Sequence, residues 1–237
     1  MYVDGHPYQG VDSNHDEVLF CDEVGKNVEL TFMLWTGLEG GGKRINQEHK
    51  IAKADIGYLH IATDDFYYYA KAITKTIELL SDDSTEKYDI QTLLNQAFLL
   101  INWDRDKFYD TVDSALEFLK NGLEKLEKKS DITVSCVGHT HIDVAWLWRL
   151  KHTREKAMRS FSTVLQLMKE FDEYKFLQSQ PQLYKYIKND CPEIYDQIKD
   201  KVKEGSWEAN GGMWLEADCN ISSGEALSRQ FLYGIRF

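Results

Sequence analysis

The sequence has no apolar run that approaches the roughly 18 residues needed to span a bilayer. Its first residues also lack the basic stretch and apolar segment of a secretory signal. Only four cysteines occur, at positions 21, 136, 191 and 219, and they form no CxxC pair. These features argue against a disulfide framework and a zinc ribbon. We therefore expect a globular, cytoplasmic protein that does not bind membranes.

Positive charge is also scarce, since 28 Lys and Arg stand against 39 Asp and Glu and leave a formal net charge of −11. The lysines alternate with acids, so no basic patch offsets the repulsion of phosphates. We expect no nucleic-acid partner. With 237 residues, 43% of them hydrophobic, the chain is long enough to bury a core. Whether it forms a homo-oligomer stays open.

The pattern along the chain predicts three regions. Residues 18–35 alternate like short strands and end at a glycine-rich stretch, so we interpret residues 1–50 as the remnant of an N-terminal β domain. Apolar residues recur at helical spacing over residues 65–80, 90–101 and 111–128. Residues 51–130 are therefore predicted to form a helical connector, and residues 131–237 form the third region.

Strands and helices alternate in this third region. The β-branched run at residues 132–137 is typical of a strand buried in a parallel sheet, and further strands are predicted at residues 175–179 and 206–210. Helices are predicted over residues 153–170 and after Pro181, Pro192 and Ser223, because proline suits a first helical turn and serine an N-cap. This alternation predicts an α/β fold with a parallel sheet.

Two loops that follow predicted strands are rich in reactive side chains. Residues 138–148 include His141 and Asp143, and residues 211–218 include Glu216 and Asp218. Ligand sites of parallel α/β sheets lie beyond the carboxyl ends of the strands, so the two loops should converge. His141 and Asp143, two apart in an extended segment, can point to one side and are ordinary zinc ligands. On spacing alone, ordinary loop histidines are an equal alternative.

Four of the six tryptophans flank these loops. Tryptophan faces stack on the apolar faces of sugars, although each of these residues could equally belong to the core. They are Trp146, Trp148, Trp207 and Trp214.

The two loop segments, GHTHIDVAWLW at residues 138–148 and GSWEANGGMWLEAD at residues 205–218, resemble the family 38 α-mannosidases, in particular their cytosolic and bacterial branch. The opening YVDG and VDSNH segments are similar to the same branch. The resemblance implies a seven-stranded-barrel-like β/α catalytic domain, of which residues 131–237 hold the opening strands and helices. It also implies that the fourth zinc ligand and the acid/base carboxylate lie beyond residue 237, so we expect the chain to be part of a longer protein.

By position, the resemblance implies that His141, Asp143 and Asp218 bind one zinc ion, that Asp218 is also the catalytic nucleophile, and that Trp146 belongs to the sugar subsite. The implied activity is zinc-assisted hydrolysis of terminal α-linked mannose from glycans, with retention of configuration. A retaining glycosidase needs a nucleophilic carboxylate and an acid about 5–5.5 Å apart. A bound cation would keep the nucleophile ionised. The implied partner is an α-mannoside glycan.

Two other functions stay open. A zinc-dependent carbohydrate deacetylase would also collect His and Asp at strand ends of a related fold, but it would form no covalent glycosyl intermediate. A non-catalytic carbohydrate-binding module would use the tryptophans and need no zinc. Glu208 and Glu216 are alternative candidates for the acid, although hydrogen bonds to a loop would explain Glu208 equally well.

Overall fold

The computed structural model describes residues 1–12, 15–19, 27–34, 53–126 and 132–237. The chain divides into two compact units, one within residues 1–49 and 134–237 and the other within residues 50–133. The described N-terminal residues therefore share a unit with the β/α region, and the division into three domains stays a prediction. Within the described ranges, no helix is both long and apolar enough to cross a membrane. The cytoplasmic location also stays a prediction.

A small antiparallel sheet opens the first unit. Its strands are β1 (Tyr2–Val3), β2 (His6–Pro7) and β3 (Leu30–Thr31), in the order β2-β1-β3. Of the strands expected over residues 18–35, the structure shows only β3, and residues 20–26 and 35 lie outside the described residues.

The second unit contains the helices α1 (Ile61–Leu79), α2 (Thr85–Leu100) and α3 (Phe108–Lys125). Their apolar stripes pack against one another, with Ala97, Val112 and Leu119 fully buried. The predicted helical character of this region is confirmed. The third helix begins and ends about three residues earlier than expected, and it ends at Lys125 because Leu126 is already extended.

The β/α region forms a parallel sheet in the order β4-β5-β6, with β4 (Gly138–His139), β5 (Phe176–Gln178) and β6 (Trp207–Ala209). Helix α4 (Leu150–Glu170) connects β4 to β5, and α5 (Pro181–Asp190) and α6 (Pro192–Glu204) connect β5 to β6. Helix α7 (Gly224–Arg236) follows β6. The predicted α/β fold with a parallel sheet is confirmed.

Local signals set the helix ends in this region as the sequence predicts. Pro181 and Pro192 each occupy the first turn of a helix, where a missing N–H is tolerated. Gly205 ends α6 in the left-handed conformation, with φ 74°. Ser223 caps α7 by accepting a hydrogen bond from the Ala226 N–H at 3.2 Å.

The predicted strand over residues 132–137 is wrong. Ile132 and Val134 are 81% and 78% exposed, and these residues form no regular structure. A β-branched run becomes a buried strand only where neighbouring structure pairs with it and covers it. Here pairing starts at Gly138, whose N–H donates to the Lys175 carbonyl at 2.8 Å.

The core of the first unit holds β5 and β6 in place against the helices. The Trp207 ring contacts Phe161 and Phe176 edge to face, and all three side chains are buried. Tyr184 accepts a hydrogen bond from Trp207 Nε1 and donates its hydroxyl to the Gln178 carbonyl, both at 2.8 Å. Helices α4 and α5 are thereby tied to β5 and β6.

Candidate active site

The loop after β4 presents His141 and Asp143 to the same side. Ile142, between them, is buried in the core, whereas His141 and Asp143 are partly or largely exposed. His141 Nε2 lies 3.2 Å from Asp143 Oδ1. Two ligands bound tetrahedrally at about 2.0–2.1 Å from a zinc ion are about 3.3 Å apart. The spacing of the two atoms fits two ligands of one ion, and it is equally the distance of a direct ion pair between imidazole and carboxylate.

A buried amide anchors the start of this loop. Gln180 lies two residues after β5, at the N-cap of α5, with φ 67°, and its side chain is buried. Its Nε2 donates to the Ile142 carbonyl at 3.0 Å. This bond joins the loop after β4 to the short connection between β5 and α5.

A buried hydroxyl anchors the rest of the loop. Thr153, the fourth residue of α4, is 0% exposed. Its hydroxyl donates to the Asp143 carbonyl at 3.1 Å and accepts from the Ala145 N–H at 3.1 Å and from Trp148 Nε1 at 3.0 Å. Ala145 has φ 64°, a conformation that costs a non-glycine residue roughly 1–2 kcal/mol. The contact with Thr153 helps to hold it there.

Helix α7 supports the loop after β6. Gln230 accepts from the Trp214 N–H through its backbone carbonyl and from the Leu215 N–H through its side-chain Oε1, both at 3.0 Å. Gly234 lies so close to the loop that an added Cβ would stand 2.0 Å from the Gly212 carbonyl oxygen. The loop and α7 therefore pack backbone against backbone.

Asp218 is exposed at the start of a tight turn. Its Oδ1 accepts from the Asn220 N–H at 2.9 Å, and its backbone carbonyl accepts from the N–H groups of Ile221 and Ser222 at 3.2 and 3.0 Å. The side chain therefore stabilises its own turn, as aspartates at turn starts commonly do.

The two loops converge, as predicted, through His141 and Glu216. His141 Nδ1 lies 3.4 Å from Glu216 Oε2, which is an ion-pair distance when the imidazole is protonated. Among the described residues, no three His, Cys, Asp or Glu side chains are close enough together to hold a metal ion. The ligand set of His141, Asp143 and Asp218 and the nucleophilic role of Asp218 stay predictions.

The four tryptophans near the loops have different environments. Trp146 is 66% exposed, and its ring lies edge to face with Trp148 at 5.9 Å. Trp207 is buried in the core, and Trp214 is held by a 2.9 Å hydrogen bond from its Nε1 to Gln182 Oε1. Trp146 is thus the one of the four that is largely exposed, and it follows Asp143 by three residues in the chain.

Thr153, Gln180 and Gln230 position the loops, and no motif in the sequence predicted this role. A usable signal existed for Thr153, because it lies one helical turn before Ala157 and two before Phe161 on the apolar stripe of α4. A polar side chain on a buried stripe needs a hydrogen-bond partner, so the stripe itself predicts such a contact.

Comparison with known proteins agrees with the loop motifs. Residues 131–237 match the model of the glycosyl hydrolases family 38 N-terminal domain. The chain is 34% identical to alpha-mannosidase G of Dictyostelium discoideum over 79% of its length, and 35% identical to the alpha-mannosidase of Saccharomyces cerevisiae over 81%. It is 39% identical to alpha-mannosidase 2C1 of Mus musculus over 100% of its length.

The chain covers 17%, 19% and 24% of the lengths of these three relatives. Over residues 131–237 the chain belongs to glycosyl hydrolase family 38, and the predicted family is confirmed.

Proposed function

We propose that the chain supplies part of the active site of a zinc-assisted, retaining α-mannosidase that releases terminal α-linked mannose from glycans. The observation that carries the proposal is the His141–Asp143 pair at 3.2 Å, at the carboxyl end of a parallel strand in a family 38 domain. The activity would belong to a longer protein, in which this chain is joined to counterparts of the other parts of its relatives. We call that longer protein the complete enzyme. In that enzyme the three parallel strands would open the seven-stranded barrel-like catalytic domain.

The donor atoms near the loops suit zinc, because imidazole nitrogen and carboxylate oxygen are among its usual ligands. His141 and Asp143 would provide two ligands from one loop, and Asp218 would provide a third from the loop after β6. A bound zinc ion would supply positive charge that keeps the nucleophile ionised, and it would help to hold the sugar ring in an oxocarbenium-like shape. The chain's own task is to hold the two loops against each other, which Thr153 and Gln230 support.

In the proposed reaction, a carboxylate oxygen of Asp218 attacks the anomeric carbon while the bond to the leaving oxygen breaks. A carboxylic acid protonates that oxygen, and water later hydrolyses the ester to release mannose with retained configuration. We assign the acid to the remainder of the complete enzyme, because Glu216 faces His141 and Glu208 lies within β6. The exposed face of Trp146 would contact the sugar.

The family assignment disfavours a carbohydrate deacetylase, since the curated relatives are mannosidases. A non-catalytic carbohydrate-binding role has one observation in its favour for the chain by itself. Its described residues offer an exposed Trp146 but no group of three metal ligands.

Covalent trapping in the complete enzyme tests the proposal. The carboxylate of Asp218 should displace fluoride from a fluorinated mannosyl fluoride and become mannosylated, and mass spectrometry should find the adduct on the peptide that contains residue 218. Asp218→Ala should give neither adduct nor turnover, whereas Asp200→Ala, which removes an exposed acid from α6, should behave like the wild type. Release of the inverted anomer from an aryl α-mannoside, or an adduct on another residue, would overturn the assignment.

A further inference from the structure

The Thr153 hydroxyl uses its whole hydrogen-bonding capacity on one loop. A threonine hydroxyl has one donor and two acceptor positions. The donor goes to the Asp143 carbonyl, and the acceptors take the N–H groups of Ala145 and of the Trp148 indole. Because Thr153 is fully buried, water has no access with which to replace these bonds.

The helix that carries Thr153, α4, is packed into the hydrophobic core. Ala157 and Phe161, one and two turns further along α4, are also 0% exposed and belong to the core. The hydroxyl therefore ties the loop to packed side chains rather than to another loop. Ordered neighbours of this kind hold a site to the narrow geometry that binding requires.

The three groups that Thr153 binds belong to different parts of the proposed site. Asp143 is a proposed zinc ligand, and its carbonyl position fixes where its side chain starts. Ala145 turns the chain in a left-handed conformation. Trp148 contacts the ring of Trp146, the proposed sugar contact, at 5.9 Å. A single hydroxyl thus holds both the part of the loop that carries the proposed zinc ligand and the part that carries the proposed sugar contact.

We propose that Thr153 is a positioning residue, whose buried hydroxyl sets the spacing of His141 and Asp143 and the pose of the Trp146–Trp148 pair. The part that concerns zinc and sugar rests on the proposed function. The part that concerns loop order rests only on the observed hydrogen bonds.

Three variants of α4 in the complete enzyme test the proposal. Thr153→Val keeps the shape but removes the hydroxyl, and Thr153→Ser keeps the hydroxyl. Thr163→Val is the matched control, because Thr163 is also buried on α4 but accepts from the Gly10 N–H instead, at 3.1 Å. The readouts are deuterium uptake of the peptide at residues 140–149, zinc affinity by competition with a chelator, and kcat and KM separately.

We expect Thr153→Val to raise deuterium uptake at residues 140–149 and to weaken zinc binding about 10–100-fold, as loss of an orienting partner typically does. Thr153→Ser should remain near the wild type, and Thr163→Val should change neither quantity. If Thr153→Val does not fold, Trp148→Phe removes only the indole bond and should still raise uptake at residues 145–149.

Unchanged uptake and unchanged zinc affinity in Thr153→Val, or unchanged uptake in Trp148→Phe, would overturn the positioning role. A different result separates the two proposals. If uptake rises in Thr153→Val while the wild type neither binds zinc nor hydrolyses mannosides, the positioning role stands and the proposed function fails.

Discussion

His141 Nδ1, on the loop after β4, lies 3.4 Å from Glu216 Oε2, on the loop after β6. The other ring nitrogen, Nε2, faces Asp143 at 3.2 Å. Histidines that bind zinc through one ring nitrogen usually offer the other to a carboxylate or carbonyl, which orients the ring. Glu216 is where such an orienting carboxylate is expected, so we assign it to holding His141.

We therefore predict that Glu216→Gln weakens zinc binding by the complete enzyme about 10–100-fold, since the amide carries no charge to hold the imidazole. Saturating zinc should restore kcat. Glu208→Gln, which changes an exposed acid on β6, is the control and should leave zinc affinity unchanged. A loss of about 10²–10⁴-fold in kcat at saturating zinc would instead make Glu216 the general acid.

The contact between α7 and the loop after β6 gives a stability prediction. An alanine at position 234 would place its Cβ 2.0 Å from the Gly212 carbonyl oxygen, so the helix and the loop must move apart. We expect Gly234→Ala to lower the free energy of unfolding by about 1–3 kcal/mol, the usual cost of overpacking. Urea unfolding measures it.

Gly224→Ala is the control for this substitution, because its Cβ would meet nothing within 4 Å. Alanine also favours helix over glycine, so this variant should be neutral or slightly stabilising. Equal stability of the two variants would show that a methyl group at position 234 fits between α7 and the loop after β6.

Tyr184 gives a prediction about alkaline pH. Burial raises the pKa of its phenol well above the usual value of about 10, although the hydrogen bond from Trp207 opposes the shift. The folded protein thus prefers the neutral phenol, while the unfolded chain ionises at about pH 10. The neutral phenol therefore contributes to the free energy of unfolding in full below about pH 10, and this contribution is lost as the pH rises toward the raised pKa of the folded protein.

Denaturant unfolding at pH 8 and at pH 11 should show this loss in the wild type and a smaller loss in Tyr184→Phe. At pH 8 the variant should be less stable by about 1–3 kcal/mol, because Trp207 Nε1 and the Gln178 carbonyl lose the partner that Tyr184 provides. Tyr58→Phe, at a fully exposed tyrosine, should match the wild type at both pH values. Identical pH dependence in Tyr184→Phe and the wild type would contradict the assignment.

The helices were predictable from the sequence because their signals are local. Apolar spacing, Pro181, Pro192 and the Ser223 cap act within one or two turns, so each predicts its element directly. The prediction of a strand at residues 132–137 was wrong because strand formation depends on pairing partners that the run itself does not encode.

The site was predictable in part for the same physical reason. Alternation around Ile142 was enough to place His141 and Asp143 on one side of the loop. The contact between His141 and Glu216 depends on the packing of two loops that are about 70 residues apart in the chain, and no local pattern specifies such a distance. The turn at Asp218, closed by its own carboxylate, likewise depends on side-chain geometry that the motif leaves open.

For the 237-residue chain alone we predict weak zinc binding and no measurable turnover. The described residues bring two proposed ligands together, His141 and Asp143, but contain no group of three. The family resemblance implies that another ligand and the acid lie outside this chain. Loss of the acid alone forfeits about 10²–10⁴-fold in rate.

Metal analysis after dialysis against a chelator tests the first part, and hydrolysis of an aryl α-mannoside by the chain and by its Asp218→Ala variant tests the second. Stoichiometric zinc that survives dialysis would mean that the loops rearrange to add a ligand, for example Asp218. Turnover that disappears in Asp218→Ala would mean that a carboxylate within the chain supplies the acid. Glu216 would then be the first residue to examine, because it lies beside His141 at the meeting point of the two loops.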